Sequence, residues 1–215
     1  MAKDAKPKSG WKQDPAAVRA DILRIATEMF ARTGLSGTRI DEIAARTKTS
    51  KRMIYYYFGD KTGLYAQALE AAYAKVREGE RQLELEGLAP DEALARLVGF
   101  TFDHHRRNAD FIRLVMIENV HNAAYVRNSS VIKSLNEEAI ARLRALIARG
   151  EADGLFRKGL DPVALHWKIS AFSVFNVSNQ PTFSSLYGDD IFSESGQSDL
   201  RESVVAMILR YVERS

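Results

Sequence analysis

Two cations and three consecutive tyrosines lie close together in the stretch "SKRMIYYYF", which runs from Ser50 to Phe58. On a helical wheel, Lys51, Arg52, Tyr55 and Tyr56 share one face, because successive residues turn by about 100°. Lysine and arginine neutralise phosphates or donate to guanine edges, and tyrosine hydroxyls reach phosphates while their rings stay stiff. This face therefore predicts contact with nucleic acid.

A second group of polar residues has the spacing of a metal site in a helical bundle. Glu118 and His121 stand three residues apart in "ENVH", and Asp103, His104 and His105 precede them by one predicted helix. The second Glu-x-x-His of a di-iron bundle is missing, and we find no Ser-His-Asp order, phosphate loop or dinucleotide glycine pattern. We therefore expect no enzyme and no cofactor, and we keep a metal-binding sensor or enzyme built on Glu118 and His121 as the alternative function.

Charge is divided unevenly along the 215 residues, whose formal net charge is +3. Through residue 62, 13 Lys and Arg stand against 7 Asp and Glu, which leaves 18 against 21 of the chain's 31 basic and 28 acidic residues. A solvated charged surface explains this division as readily as a footprint for a polyanion does. Because the sequence has no cysteine, disulfides and zinc sites built on sulfur are excluded. Without a leader pattern or a membrane-spanning apolar run, we expect a cytoplasmic protein with no membrane partner.

The apolar pattern predicts an all-α protein. A stripe at steps of three and four over residues 18–33 predicts the first helix. Thr38, Ser50 and Asp60 are expected to cap the next three helices, of which the last extends to about Leu85. The second and third helices, joined by the short turn "TKT", form a helix-turn-helix whose inner apolar face supports the short third helix.

Longer and more apolar helices are predicted beyond Pro90. The Ser- and Gly-rich residues 182–198 are expected to form a long loop, and the last helix is expected to begin near Asp199. That last helix carries two apolar stripes, and the helix preceding it is also rich in apolar residues. Both have more apolar surface than one core requires, which favours a four-helix interface across a twofold axis.

Residues from about 16 to 65 resemble the DNA-binding domain of the TetR/AcrR family of transcriptional regulators. The resemblance rests on "ILRIATEMFARTGLSGTRIDEIAARTKTS" and "IYYYFGDKTGLY", which carry the family's glycine, threonine, Ile-Ala, serine, Tyr-x-Tyr-Phe and lysine in order and at the family's spacing. One position departs from the pattern, because Lys48 stands where the family usually has a turn glycine. The turn must therefore accept a left-handed or strained lysine, or open slightly.

The resemblance implies which residues bind DNA, and they are Thr38, Arg39, Ser50, Lys51, Arg52, Tyr55, Tyr56 and Lys61. The first two are expected to approach a phosphate at the start of the second helix, and Lys61 one at the start of the fourth. Lys51, Arg52 and Tyr55 are expected in the major groove and Tyr56 at the DNA backbone.

The resemblance also implies a division into a basic disordered tail (1–15), a DNA-binding domain (16–62) and a ligand-binding and dimerisation domain (63–215). The family's body pairs with a second copy through its last two helices. The tail lysines either solubilise the chain or enter a minor groove, and they are Lys3, Lys6, Lys8 and Lys12.

A mixture of aromatic walls and isolated polar atoms in the body predicts the ligand contacts, which are Phe100, His104, Phe111, Met116, Asn119, His121, Trp167, Phe172 and Asn176. The stretch "HHRRNADFIRLVMIENVH" is similar to family members that control the breakdown of aromatic or N-heterocyclic acids, so Arg106, Arg107 or Arg113 can face a carboxylate. We expect a regulator, by family default a repressor, that a small organic effector releases from a palindromic double-stranded DNA operator. An aromatic acid is one candidate effector. A DNA-binding architectural protein without a ligand is the remaining alternative.

Overall fold

The computed structural model describes residues 14–214, which contain ten α-helices and no extended strand beyond an isolated bridge between Phe156 and Glu213. The predicted all-α class is confirmed. The helices are α1 (Pro15–Gly37), α2 (Ile40–Arg46), α3 (Lys51–Phe58), α4 (Lys61–Arg81), α5 (Pro90–Arg107), α6 (Ala109–Val120), α7 (Ser130–Ala152), α8 (Pro162–Ser178), α9 (Gln180–Tyr187) and α10 (Glu194–Val212). Short 3-10 turns lie at Val126–Asn128 and Asp190–Phe192.

Side-chain caps define the starts of α3 and α4. The Ser50 hydroxyl accepts the Met53 N–H at 3.2 Å at the start of α3, and the Asp60 carboxylate accepts the Gly63 N–H at 2.7 Å at the start of α4. A Cβ at Gly63 would lie 2.2 Å from the Phe58 carbonyl oxygen. The close approach of α3 to α4 therefore requires glycine at this position.

The DNA-binding head comprises α1, α2 and α3, and its apolar core does not end at α3. Leu64 and Leu69 from α4 belong to that core, together with Leu114 from α6 and Ile132 from α7. The boundary predicted at residue 62 falls in the first turn of α4, and the core continues across it. The rest of the chain, which we call the body, thus supplies part of the packing that supports the head.

A second core fills the body, where α5 packs against α8 and α10. Its largest fully buried residues are Leu94, Phe102 and Leu165. Gly150 of α7 lies against the Phe156 ring, because a Cβ at Gly150 would be 2.0 Å from that ring. None of the helices in residues 14–214 has the length and apolarity that crossing a membrane requires.

The structure corrects three predicted boundaries. Residues 182–198 are not a long loop, since α9 covers their beginning and α10 starts at Glu194, where the Ser193 hydroxyl accepts the Gly196 N–H at 3.1 Å. Helix α4 ends at Arg81, before the predicted Leu85. Thr38 does not cap α2, because its hydroxyl donates to the Gly34 carbonyl at 2.8 Å. The predicted tail lies outside the described residues up to residue 13.

Candidate nucleic-acid interface and ligand cavity

Helix α3 separates its side chains as the helical wheel predicts. Ile54 and Phe58 are buried in the head core. On the other side, Lys51 and Arg52 are exposed, and Tyr55 and Tyr56 expose 45% and 77% of their surface. Because the tyrosines are anchored on a helix that is buried from behind, their hydroxyls form a stiff outward surface beside two cations.

The turn before α3 has the conformation that the sequence requires. Lys48 adopts a φ of 51°, so the lysine at the family's glycine position is left-handed, as one of the predicted alternatives states. The Thr47 hydroxyl donates to the Ile43 carbonyl at 2.8 Å and closes the end of α2. Lys51 forms an ion pair with Asp41 of α2. These contacts fix α3 against α2.

The three predicted phosphate contacts outside α3 differ in exposure. Thr38 is 1% exposed and its hydroxyl and N–H both bond within the head, so its side chain does not reach the surface. Arg39 is exposed at the N-cap of α2. The Lys61 ammonium lies at the first residue of α4 and donates to the Ser36 carbonyl at 3.4 Å. Arg39 and Lys61 thus flank the tyrosine face with positive charge.

The nine predicted ligand residues do not line one cavity. Phe172 and Asn176 line a groove at α8, α9 and α10, whereas His104 and Phe111 line an open cleft between α1, α4 and the turn before α6. Trp167 is 70% exposed on α8. The other four residues line neither the groove nor the cleft. The Phe100 ring lies beside the His104 ring, with 5.4 Å between their centres. Met116, Asn119 and His121 are exposed near the end of α6.

The predicted carboxylate partners are also placed elsewhere. Arg106 pairs with Glu194, Arg107 lies 3.9 Å from Asp103, and Arg113 pairs with Asp110 at 3.0 Å. Each contact is on the surface and is made within the chain. These arginines therefore do not define an interior anion site.

A cavity of about 150 Å³ lies between α4, α5, α7 and α8. Apolar side chains such as Leu97, Leu143 and Ile169 form most of its wall, and Arg77, Thr101 and His166 add polar atoms. The sequence analysis missed these polar residues. A signal was present for Arg77, because it follows Leu69 and Tyr73 at steps of four and so places a cation on the buried face of α4.

Arg77 is held by strong contacts but keeps one free donor. Its guanidinium donates to both Glu80 carboxylate oxygens at 2.5 and 2.7 Å and to the Asn136 side-chain oxygen at 2.7 Å. Its buried Nε has no partner, and neither does the Nδ1 of His104 or of His105. Buried nitrogens without partners are rare in folded proteins, and of these three residues Arg77 lines the cavity, where a small molecule can accept a hydrogen bond from its Nε.

The imidazoles near this cavity are held neutral. Desolvation, followed by the positive charge of Arg77, lowers the pKa of His166 to about 4. Desolvation, followed by the neighbouring His104 and Arg77, lowers the pKa of His105 to about 3. Each neutral ring can donate one hydrogen bond and accept another near neutral pH.

The metal alternative does not fit the placement of its residues. Both Glu118 oxygens accept hydrogen bonds from the chain, and His121 is exposed at the end of α6. In residues 14–214, no three His, Asp or Glu side chains are grouped closely enough to hold a metal ion. The geometry thus gives no support to a site at Glu118 and His121.

An outer face of α8 and α10 carries large apolar side chains. Val163, Trp167 and Phe175 of α8 are 57%, 70% and 55% exposed. Met207 and Tyr211 of α10 are 46% and 38% exposed. Contiguous exposed apolar surface of this kind marks interaction sites in proteins.

An all-helical chain with an outward recognition helix and a small cavity in its body has the architecture of a ligand-responsive DNA-binding regulator. The family model for bacterial regulatory proteins of the tetR family matches residues 22–68, and the model for the tetracyclin repressor-like C-terminal domain matches residues 90–208. The chain belongs to the TetR family and is a DNA-binding transcriptional regulator.

Curated relatives match nearly the whole chain. The HTH-type transcriptional repressor NicS of Pseudomonas putida is 33% identical over 94% of this chain and 95% of its own length. The HTH-type transcriptional repressor SCO4008 of Streptomyces coelicolor is 26% identical over 94% of this chain and 98% of its own length.

Solved structures share the fold. The transcriptional regulator SCO4942 of Streptomyces coelicolor superposes with a TM-score of 0.69 at 25% identity, covering 92% of this chain and 99% of its own. The fatty acid degradation regulator FadR of Bacillus halodurans gives a TM-score of 0.68 at 19% identity over 94% and 97% of the two chains, which shows the fold alone.

Proposed function

We propose that this protein is a homodimeric transcriptional repressor that a small organic acid releases from a palindromic operator. The observation that carries the DNA-binding part is the outward face of α3, where Lys51, Arg52, Tyr55 and Tyr56 lie side by side. Repression is supported by the names of the relatives NicS and SCO4008. We assign Arg52, Lys51 and Tyr55 to base edges in the major groove.

The phosphate contacts are assigned to Tyr56, Arg39 and Lys61. Both cations sit at helix starts, where backbone N–H groups and the helix dipole add to their attraction for phosphate. Thr38 is left out of this set because its hydroxyl is occupied inside the head. Ser50 contributes as the cap of α3.

Dimerisation is assigned to α8 and α10, whose outer faces expose the apolar side chains described above. Two copies related by a twofold axis present two α3 helices, which must enter successive major grooves roughly 34 Å apart on undistorted DNA. The operator is therefore expected to be a palindrome. Footprinting of a bound fragment measures the half-site spacing directly.

The effector site is assigned to the cavity at Arg77. Its volume is about 150 Å³, and a dry cavity of roughly that volume binds benzene, so one aromatic ring is the size that fits. Three arginines and two glutamates line the cavity, which leaves an excess of one positive charge. Because the His166 ring is neutral, the lining favours a monocyclic aromatic acid with one negative charge.

Helix α4 connects the two sites. Arg77 lies near its C-terminal end and Lys61 is its first residue, so a ligand that moves Arg77 can reorient the head. Couplings between sites of about 1 to 3 kcal/mol change affinity roughly 5- to 150-fold, and operator DNA must weaken effector binding by the same factor.

The test begins with the DNA fragments that the purified protein selects from a random library. Calorimetry then compares benzoate and its ring-substituted relatives with the matched neutral benzamides, for the free protein and for the operator complex. We expect the acids to bind more tightly than the amides and to bind the free protein more tightly than the complex. Equal affinity for acid and amide would reject the acid, and equal affinity for both protein forms would reject release.

A further inference from the structure

The carboxylate of Glu118 lies buried at the junction of head and body, with 3% exposure. One of its oxygens accepts the Tyr65 hydroxyl of α4 at 3.0 Å. The other accepts the N–H groups of Tyr125 and Val126 at 3.0 and 3.1 Å. A single side chain of α6 therefore connects α4 to the segment that leads into α7.

Tyr65 of α4 belongs to the apolar core of the head and links that core to this junction. It lies seven residues after Phe58, the last residue of the recognition helix, and is 1% exposed. Its ring meets Phe30 of α1 and Tyr125 edge-on, each at 5.0 Å between ring centres. Desolvation and the Glu118 carboxylate raise the pKa of the Tyr65 hydroxyl, so it stays protonated and donates.

The segment on the other side of Glu118 is held in an uncommon backbone conformation. Asn122 and Ala123 have φ values of 57° and 56°, a region that costs non-glycine residues energy. The two N–H groups that bind Glu118 follow two and three residues after Ala123. Glu118 thus fastens a segment that would otherwise relax, and this segment lies between the end of α6 and the start of α7.

Helix α6 also touches the end of α1. A Cβ placed on Gly34 would lie 4.0 Å from the Ile117 side chain, next to Glu118. Gly34 is where the backbone of α1 departs from helical geometry, with φ 67° and ψ −179°, before α2 begins. Movement of the end of α6 therefore reaches both helices that support the helix-turn-helix, α1 through Ile117 and α4 through Tyr65.

We propose that Tyr65 and Glu118 are positioning residues whose hydrogen bond sets the orientation of the DNA-binding head on the body. The inference rests on the proposed function insofar as the orientation governs operator affinity. Both residues are buried, and neither is among the DNA or effector contacts proposed above. Removal of the bond leaves α3 intact and lets the head occupy a wider range of orientations, so the two α3 helices of a dimer match the operator spacing less often.

Three variants separate this role from simple packing. Tyr65→Phe removes the bond and keeps the ring between Phe30 and Tyr125. Glu118→Gln retains a link, because its amide oxygen can accept the two backbone N–H groups while its amide N–H donates to the Tyr65 hydroxyl. Glu138→Gln is the matched control, since it weakens another contact of α4, the exposed pair between Arg81 of α4 and Glu138 of α7.

Two measurements are made at a temperature well below unfolding of every variant. The first is the affinity for the DNA fragment that the wild-type protein selects. We expect Tyr65→Phe to weaken binding about tenfold or more without changing base preference, because a hydrogen bond to a charged group is lost and no base contact is touched. We expect Glu118→Gln and Glu138→Gln to stay within about threefold of wild type.

The second measurement is hydrogen exchange of two peptides, residues 40–58 and residues 121–129. We expect Tyr65→Phe to accelerate exchange in both peptides together and Glu138→Gln to accelerate neither. Unchanged operator affinity in Tyr65→Phe, or faster exchange confined to residues 121–129, overturns the proposal. If the wild-type protein selects no DNA, the proposed function fails, and the exchange experiment alone decides whether the bond positions the head.

Discussion

The head and the body of this protein differ in whether every buried polar side-chain atom has a hydrogen-bond partner. Four buried side-chain atoms without a hydrogen-bond partner occur in the described residues, and all four belong to the body, at Arg77, His104, His105 and Ser184. In the described part of the head, the buried Thr38 hydroxyl is bonded within the chain. The head presents its cations and tyrosine hydroxyls to solvent, whereas the body keeps these unpaired atoms inside, and one of them, the Arg77 Nε, belongs to a residue that lines the cavity.

Substitution of Arg77 is expected to have the largest effect on the unfolding free energy. Arg77→Met leaves Glu80, whose side chain is 12% exposed, without its cation, and loss of one partner of a buried ion pair costs about 3 to 5 kcal/mol of unfolding free energy. Urea unfolding measures this cost. The matched control Arg81→Met removes an exposed cation of the same helix and should cost much less, because exposed ion pairs contribute little to stability. Equal losses of unfolding free energy in Arg77→Met and Arg81→Met would contradict the larger contribution expected for the buried ion pair.

Acid should destabilise the body specifically. His105 and His166 have folded pKa values of about 3 and 4, below the ordinary 6.5, so the unfolded chain binds protons that the folded chain excludes. The unfolding free energy therefore falls as pH drops below about 6.5, by about 2 kcal/mol for each ring at pH 5, and the loss continues towards the folded pKa values.

Urea unfolding between pH 7 and pH 5 tests this pH dependence, and the double variant His105→Asn, His166→Gln should show a flatter profile. The head up to residue 62 has no histidine, so its operator affinity at constant salt should not follow the same profile. If the double variant has the same pH profile as the wild-type protein, His105 and His166 are not the cause of the acid destabilisation.

Two kinds of proposed DNA contact should respond differently to substitution. Arg52→Ala removes a proposed base contact and should relax specificity by about 1 to 3 kcal/mol at one operator position. Lys61→Ala removes a proposed phosphate contact, so it should weaken all sequences alike and make the salt dependence of binding less steep. Binding measured against operator variants at several salt concentrations tells the two apart. Altered base preference with an unchanged salt slope in Lys61→Ala would contradict its assignment to the DNA backbone.

The smallest effect is expected at the turn before α3. A left-handed residue costs about 1 to 2 kcal/mol, and glycine loses about 0.5 to 1 kcal/mol of additional entropy on folding. Replacement of Lys48, with its φ of 51°, by glycine (Lys48→Gly) should therefore stabilise the head by about 0.5 to 1 kcal/mol. Thermal unfolding of the variant measures it. A lower melting temperature would show that the lysine side chain contributes more than its backbone costs.

The sequence predicts the head better than the body because the head depends on local chemistry. The Ser50 and Asp60 caps and the left-handed Lys48 follow from neighbours a few residues away. The Thr38 cap failed because Gly34, with a φ of 67°, presents its carbonyl to the Thr38 hydroxyl. Helix α9 was missed because its short sequence, "QPTFSSLY", combines serines with a proline and so is typical of a loop.

The cavity at Arg77 could not be predicted from the sequence for a different reason. Its polar residues come from separate helices, Arg77 from α4, Thr101 from α5 and His166 from α8, and no spacing along the chain brings them together. Residues chosen for their type, such as Trp167 and Phe172, proved to lie at the surface or in another groove. Periodicity identifies which face of a helix is buried, but the packing of the helices decides what that face meets.

The apolar core shared between the head and the body limits how modular this regulator can be. Leu114 and Ile132 complete the core of the helix-turn-helix, so a fragment ending at residue 62 would expose the surface they cover. A hybrid regulator that takes its DNA-binding head from another family member must therefore keep the α6 and α7 surface that packs against that head, or acquire this surface together with the head. Packing between the new head and the existing α6 and α7 therefore determines whether a chimera can combine a new DNA specificity with an existing ligand response. The length of a linker does not.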